Sequence, residues 1–212
     1  NGFMTVDLSA FYADVSKDWV YTFAAGSRER RSAQSSMYLM VCGLTRLLAP
    51  ILSFTCDELW RYLPARPEES VHIAMFPDTA QLERMVDTEL LQQWQRLSAL
   101  RERVLAEIEP LRKDKQIGSS LQAKVVLSVS AKELASLEPW ASQLPMLFIV
   151  SDVELRLVEA DGAETGPRIT IERAGGVKCE RCWRYVPSVS SAPGKEGLCA
   201  RCEDALAGSV HA

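Results

Sequence analysis

Two C-x-x-C pairs near the end of the chain constrain its fold more than any other feature. The first pair is Cys179 and Cys182, and the second is Cys199 and Cys202, with sixteen residues between the pairs. A two-residue spacer lets both thiolates of a pair face one point, and two facing pairs form the tetrahedron that Zn²⁺ prefers. Four thiolates leave no open coordination position, so the pattern predicts one structural zinc. Two disulfides or an iron centre are the alternatives.

The composition is that of a soluble globular protein with one or two domains. The chain has 212 residues, of which 47% are hydrophobic and 25% charged. No apolar run reaches membrane-spanning length and the start has no signal-peptide pattern, so we expect a cytoplasmic protein without a membrane partner. In that reducing compartment Cys42 and Cys56 should be unpaired thiols. The first residue is Asn1 rather than Met, which indicates a fragment or a processed chain.

The first half of the chain has the apolar spacing of helices. Apolar side chains three and four residues apart predict amphipathic helices over 4–24, 27–49 and 87–115. A capping box at 55–58 should open a shorter helix, and Pro110 should kink or break the last long one. Three long helices with apolar stripes pack as a bundle.

The pattern changes to short strands after Gly118. Strands are expected over 123–129, 146–150, 153–157 and 169–171, with a turn at Asp161-Gly162 and a hinge at Gly175-Gly176. A capping box at Ser130 and Glu133 opens a helix that runs to about Trp140. The sequence therefore predicts a mainly α protein in three parts. These are a helical domain over 1–116, a small α+β domain over 117–175 and a zinc ribbon over 176–212.

The pattern of reactive side chains favours a binding module over a catalyst. No glycine-rich phosphate loop and no H-E-x-x-H motif is present, and neither His72 nor His211 has neighbours suited to catalysis. The net charge of −4 excludes a uniformly basic surface, so a nucleic-acid partner would have to meet local patches.

Two local patches could meet such a partner. Trp183 follows the first cysteine pair, beside Lys178, Arg181 and Arg184. The ring either covers the metal knuckle or stacks on an unpaired base. The second patch lies in the first turn of the second helix, and its cations are either solvated or face phosphate. They are Arg28, Arg30 and Arg31.

Several motifs, in order along nearly the whole chain, resemble the C-terminal part of bacterial isoleucyl-tRNA synthetases. The motifs are 7–12 (DLSAFY), 17–18 (KD), 31–34 (RSAQ), 47–55 (LLAPILSFT), 57–60 (DELW), 117–121 (IGSSL) and 178–183 (KCERCW). The first block of motifs, which ends with LLAPILSFT at 47–55, resembles the helical anticodon-binding domain shared by the synthetases for Ile, Val, Leu and Met. A similar finger closes a family of DNA glycosylases, but their N-terminal Pro-Glu pair has no counterpart at Asn1-Gly2.

The resemblance implies a function for each part. The helical bundle would be an anticodon-binding domain, and the chain would bind isoleucine tRNA as a monomer beside the catalytic and editing domains of the same enzyme. The nucleotide-binding motifs of the His-Ile-Gly-His and Lys-Met-Ser-Lys-Ser types are absent, so no catalytic residue is assigned and this chain alone should be inactive. The RNA-binding residues would be Lys17, Arg28, Arg30, Arg31, Lys178, Arg181, Trp183 and Arg184. A zinc-ribbon module that binds proteins is the alternative.

Overall fold

The computed structural model describes residues 2–66, 68–158 and 166–208, and within them the fold is mainly helical. The predicted turn at Asp161-Gly162 and His211 lie outside the described residues. None of the described helices is long and apolar enough to span a membrane. The described residues form two compact units. The first comprises 1–26 and 94–212, and the second comprises 27–93.

Helices account for most of the regular structure within the described residues. The α-helices are α1 (Lys17–Thr22), α2 (Arg28–Leu48), α3 (Ser53–Tyr62), α4 (Thr79–Glu83), α5 (Thr88–Lys113), α6 (Ala131–Leu137), α7 (Leu144–Phe148) and α8 (Ala200–Ala207). A π-helix spans Phe3–Ala13, and short 3₁₀ turns cover Val71–Ile73, Ser120–Gln122 and Glu138–Trp140. The predicted three-part division at 116 and 175 stays a prediction.

The first unit is built around a three-stranded sheet. Its strands are β1 (Ala123–Val129), β2 (Asp152–Leu157) and β3 (Arg168–Arg173), in the order β2-β1-β3. Strand β1 runs parallel to β2 and antiparallel to β3. Because β1 is central, its apolar residues are buried, and they pack with one face of α5. That face consists of Leu97, Leu100, Val104 and Ile108, as its three- and four-residue spacing requires.

The predicted strand at 146–150 is wrong, because this segment forms helix α7. Pro145 lies in the first turn of the helix, where its missing N–H costs nothing, and Ile149 ends it in the left-handed conformation with φ 57°. The neighbouring side chains of Met146, Leu147 and Phe148 are all buried. A short run that is apolar on every side has no periodicity from which to distinguish a helix from a strand.

Three other expectations change in detail. Thr55 does not cap a helix, because α3 begins at Ser53 and the Cys56 N–H already bonds the Leu52 carbonyl. Helix α5 continues through Pro110 to Lys113, so the helix does not break there. The segment predicted as one helix over 4–24 is instead the π-helix followed by α1, since spacings of three and four do not separate the two helix types over so few turns. The Ser130–Glu133 capping box is confirmed.

The second unit has its own small core. Ala49, Cys56, Trp60 and Val71 are buried together, and the Trp60 indole N–H donates to the Glu68 carbonyl at 3.0 Å. Helix α2 begins where the sequence predicts, because the Ser27 hydroxyl accepts the Arg30 N–H at 3.2 Å.

Candidate zinc centre and nucleic-acid interface

The four terminal cysteines meet in one buried cluster. A hairpin of β4 (Val177–Lys178) and β5 (Tyr185–Val186) carries the first pair, and the N-terminus of α8 carries the second. All four Sγ atoms lie within 4.8 Å of one another. The Cys179 N–H donates to the Arg184 carbonyl at 2.9 Å and the Trp183 N–H to the Cys179 carbonyl at 2.9 Å, which closes the first knuckle.

The geometry of this cluster fits a tetrahedral zinc. The Sγ atoms of Cys182 and Cys199 are 3.8 Å apart. Four Zn–S bonds of about 2.3 Å in a tetrahedron place sulfurs about 3.8 Å from each other, whereas a disulfide needs about 2.05 Å. All six cysteines, which lie within the described residues, are free. The cluster is therefore consistent with one structural zinc and not with two disulfides.

One of the four cysteines, Cys179, has a lowered pKa, which favours the negatively charged thiolate that binds a metal cation. Burial opposes ionisation of Cys179, but backbone N–H groups of Cys182, Cys199 and Arg181 lower its pKa to about 6. Burial raises the pKa of Cys202 to about 12 and also raises that of Cys199. A bound divalent cation would favour the thiolate form of all four, so metal binding should release protons.

Trp183 is presented to solvent rather than folded over the cysteines. The residue is 60% exposed, although Cys179 and Cys202 of the same module are fully buried. The residue has φ 64°, a left-handed conformation that is unusual for a bulky side chain. The Lys178 ammonium lies 5.6 Å from the ring centroid. An exposed ring with a cation over it resembles a stacking platform more than a packing lid.

Asp18 joins the cysteine module to α1 through a cluster of ion pairs. Its carboxylate accepts two hydrogen bonds from Arg201, at 2.7 and 2.8 Å, and one from Arg184 at 2.8 Å. The Thr22 hydroxyl donates to it at 2.7 Å. Burial alone would raise the pKa of Asp18, but Arg201 and Arg184 hold that pKa below its ordinary value. The carboxylate is therefore charged and fully engaged.

Two further contacts join the cysteine module to α1, and together with the ion pairs of Asp18 they form what we call the docking surface. Arg181 donates to the backbone carbonyl oxygens of Thr22 and Tyr21, the latter at 3.1 Å. The Arg201 guanidinium lies 4.9 Å from the centroid of the Phe23 ring. The sequence did not reveal these roles, because Asp18 and Arg201 are 183 residues apart and each looks like an ordinary surface charge.

The predicted RNA-binding residues differ in how available their charges are. Arg184 is only 17% exposed and its charge is paired with Asp18, while Lys178 is exposed. Lys17 is 63% exposed and bonds Asp14 at 2.7 Å. The predicted cations of the second unit lie in the first turn of α2, where Arg28 and Arg31 are exposed. These assignments stay predictions.

Gly176 precedes the hairpin in a conformation that requires glycine. Its φ is +90°, and a Cβ built there would lie 2.0 Å from the Val186 carbonyl oxygen. A Cβ on its neighbour Gly175 would meet nothing within 4 Å. Gly176→Ala should therefore destabilise the zinc module by about 1–3 kcal/mol or more, because the backbone must move. Gly175→Ala is the matched control and should cost less than about 1 kcal/mol. The measurement is the free energy of unfolding in urea. Equal losses of that free energy in Gly176→Ala and Gly175→Ala would contradict a requirement for glycine at 176.

Two known protein families match the chain, one over its helical N-terminal part and one over its cysteine module. Residues 1–127 match a family described as the anticodon-binding domain of tRNA ligase. The chain therefore belongs to the anticodon-binding domain family of tRNA ligases. Residues 176–205 match a second family, described as a zinc finger found in FPG and IleRS. The second match contains all four clustered cysteines.

The individual relatives that match the chain are tRNA ligases for one amino acid, isoleucine. The chain is similar to isoleucine–tRNA ligases from Natranaerobius thermophilus (41% identical), Geobacter sulfurreducens (42%) and Staphylococcus carnosus (40%). Each alignment covers 97% of this chain but only 22–23% of the relative. The predicted resemblance to isoleucyl-tRNA synthetase is confirmed, and the chain spans less than a quarter of the length of these ligases.

Proposed function

We propose that this chain binds the anticodon stem-loop of isoleucine tRNA as part of an isoleucine–tRNA ligase. The observation that carries the proposal is the exposed Trp183 ring, fixed beside a buried four-cysteine cluster in a chain of the anticodon-binding family. Unpaired bases stack on such rings, and nearby cations bind phosphate. Catalytic and editing domains of the same enzyme would supply the chemistry, and the chain would act as a monomer in the cytoplasm.

The metal has a positioning role in this proposal. Zinc bound by Cys179, Cys182, Cys199 and Cys202 would supply a closed structural centre that does not activate water. Cys179 and Cys182 lie at the two ends of the first knuckle, directly before Trp183, and the metal would join them to Cys199 and Cys202 at the start of α8. Arg181, Arg184 and Arg201 then hold the knuckle against α1 through Asp18 and the end of that helix.

The exposed cations would contribute the part of the affinity that depends on salt. Lys178 lies beside Trp183 in the first unit, and Lys17 is on α1. Arg28, Arg30 and Arg31 would contribute from α2. Arg181 and Arg184, whose charges are engaged within the protein, would contribute through the positive potential of the surface more than through direct phosphate contacts.

Filter binding of the whole chain to isoleucine tRNA tests the proposal. With about four phosphate contacts, the logarithm of the binding constant should fall with the logarithm of salt concentration with a slope of about −3. An absence of binding at low salt would reject the proposal and favour a zinc module that binds proteins. The same preparation should not activate isoleucine with ATP, since the nucleotide-binding motifs are absent.

Replacement of Trp183 by alanine tests the stacking role. Loss of one base–aromatic stack, worth about 1–3 kcal/mol, should weaken tRNA binding by about 5- to 150-fold. Zinc content should stay unchanged, because Trp183 is exposed and is not a metal ligand. Trp183→Phe keeps an aromatic face and should recover most of the affinity. Equal affinity of the alanine variant and the unaltered chain would exclude the platform.

A further inference from the structure

A basic depression of about 300 Å³ lies at the end of helix α5, within the first unit. It is lined by Glu109, Arg112, Lys113, Lys115, Ile117 and Gly118. Three of these residues are cations and one is an acid, while Ile117 is only 4% exposed. A depression with more positive than negative charge favours an anionic ligand. We call this depression the α5 recess.

Two of the three cations in the α5 recess have no partner among the residues that the structure describes. The Arg112 guanidinium lies 3.2 Å from a Glu109 carboxylate oxygen, so these two charges offset each other. The ammonium groups of Lys113 and Lys115 form no hydrogen bond or ion pair within the described ranges. Asp114, between them in sequence, does not line the recess. The recess therefore keeps two positive charges that the protein itself does not use.

These lysines are also not used to cap the helix. Cations near a helix C-terminus often bond its last carbonyl groups, but here backbone N–H groups already do so. The Leu111 carbonyl accepts from the N–H groups of Gln116 and Ile117, at 2.9 and 3.3 Å. The Arg112 carbonyl accepts from the Lys115 N–H at 3.1 Å, and Lys115 has φ 57°, the left-handed conformation that commonly ends a helix. The lysine side chains therefore remain available to a ligand.

Hydrogen bonds connect the α5 recess to the zinc hairpin. The Gly118 N–H donates to Gln122 Oε1 at 2.6 Å, and Gln122 Nε2 donates to the Tyr185 hydroxyl at 3.2 Å. Tyr185 lies in β5, two residues after Trp183. The recess and the exposed Trp183 ring therefore belong to one hydrogen-bonded unit, and an RNA strand that binds this unit carries a phosphate on every nucleotide.

We propose that the α5 recess binds one phosphate of the RNA backbone through Lys113 and Lys115. The proposal rests on the proposed function and adds a contact outside the cysteine module. Lysine binds phosphate as a compact point charge on a flexible stem, so the two ammonium groups can reach one phosphate without fixed geometry. Such a contact positions the RNA but does not read its sequence. A free phosphate compound has the same chemistry and is the alternative source of the ligand.

Filter binding of isoleucine tRNA to the whole chain, over a range of salt concentrations, tests the proposal. The recess variant combines Lys113→Gln with Lys115→Gln. It should bind more weakly at low salt, and its log–log salt slope should be shallower by about 1, because one phosphate contact is lost. The loss should be equal for a transcript with an altered anticodon, since a phosphate contact carries no sequence information.

Arg96→Gln combined with Lys132→Gln is the matched control. Arg96 and Lys132 are exposed cations of the same unit that do not line the recess, so the control removes the same net charge. Its salt slope should equal that of the unaltered chain. Both variants should keep their zinc content and their thermal unfolding midpoint, because all four side chains are exposed.

The other possible outcomes distinguish the proposal from its alternatives. Equal salt slopes for the recess variant and the control would overturn the phosphate site while leaving tRNA binding intact. A loss confined to one of the two transcripts would also overturn it, because it would indicate a base contact. Inorganic phosphate is the second probe, and calorimetric binding of it without RNA, lost in the recess variant, would assign the recess to a free phosphate compound instead. Failure of the unaltered chain to bind tRNA would reject the proposed function and this proposal with it.

Discussion

Replacing Cys199 by serine should remove the metal and unfold the zinc module. Structural zinc in small fingers contributes about 10–16 kcal/mol of apparent binding free energy, which is folding free energy for the segment that binds it. In the described part of the module the buried cluster is formed by the four cysteines, with Val186, Val189 and Leu198 packed against it, so loss of the metal disrupts the centre of its core. Elemental analysis should fall from one zinc per chain to well below one, and the hairpin amides should lose protection from hydrogen exchange.

The second unit should survive this change. Its core of Ala49, Cys56, Trp60 and Val71 contains no residue of the module, so its helical signal and its protected amides should remain. Cys42→Ser is the control, because Cys42 is a half-buried free thiol outside the cluster, and it should keep one zinc. A metal content that stays at one in both Cys182→Ser and Cys199→Ser would place the metal elsewhere.

Asp18→Ala should detach the module from α1 without removing its metal. The substitution leaves the guanidinium groups of Arg184 and Arg201 without the carboxylate that both now bind. Removing one partner of a buried ion pair costs about 3–5 kcal/mol. Because these side chains are partly exposed, we expect a loss of about 3 kcal/mol, at the lower end of that range. The measurement is the free energy of unfolding in urea, together with zinc content.

Asp152→Ala provides the matched control for this prediction. Asp152 is an acidic residue of the same unit, is 59% exposed, and lies 3.9 Å from the Lys124 ammonium. An exposed pair of this kind contributes about 0–1 kcal/mol. Zinc content should stay at one in both variants, because neither residue is a ligand. Equal stability of Asp18→Ala and Asp152→Ala would show that the ion-pair cluster does not dock the module.

The sequence predicts those features whose physical cause is local. The cysteine spacing predicts the cluster, the Ser130–Glu133 pattern predicts a capping box, and the apolar spacing of α5 predicts its buried face. Helix α7 was missed because its residues are apolar on all sides. Secondary structure therefore follows from the spacing of apolar and capping residues, except in a short, fully buried run such as α7, where all side chains are apolar and no spacing can be read.

The docking surface could not be predicted because its cause is not local. Asp18 and Thr22 on α1 meet Arg201 on α8 across almost the whole chain length, and no spacing rule links them. The same holds for Arg181, whose guanidinium donates to the Tyr21 backbone carbonyl at 3.1 Å across 160 residues of sequence. The cysteine spacing does bring Arg181 and Arg201 to the same module, since both lie within C-x-x-C pairs, but it does not identify Asp18 as a partner.

The most direct test of the proposed function compares two tRNA transcripts on one zinc-loaded preparation. Isoleucine tRNA and the same tRNA with an altered anticodon are titrated against the whole chain at one salt concentration. Replacement of the anticodon bases should weaken binding by at least about 10-fold, because hydrogen bonds to the base edges are lost while stacking and the phosphate contacts remain. Equal affinity for the two transcripts, or no affinity for either, would contradict anticodon recognition by this chain.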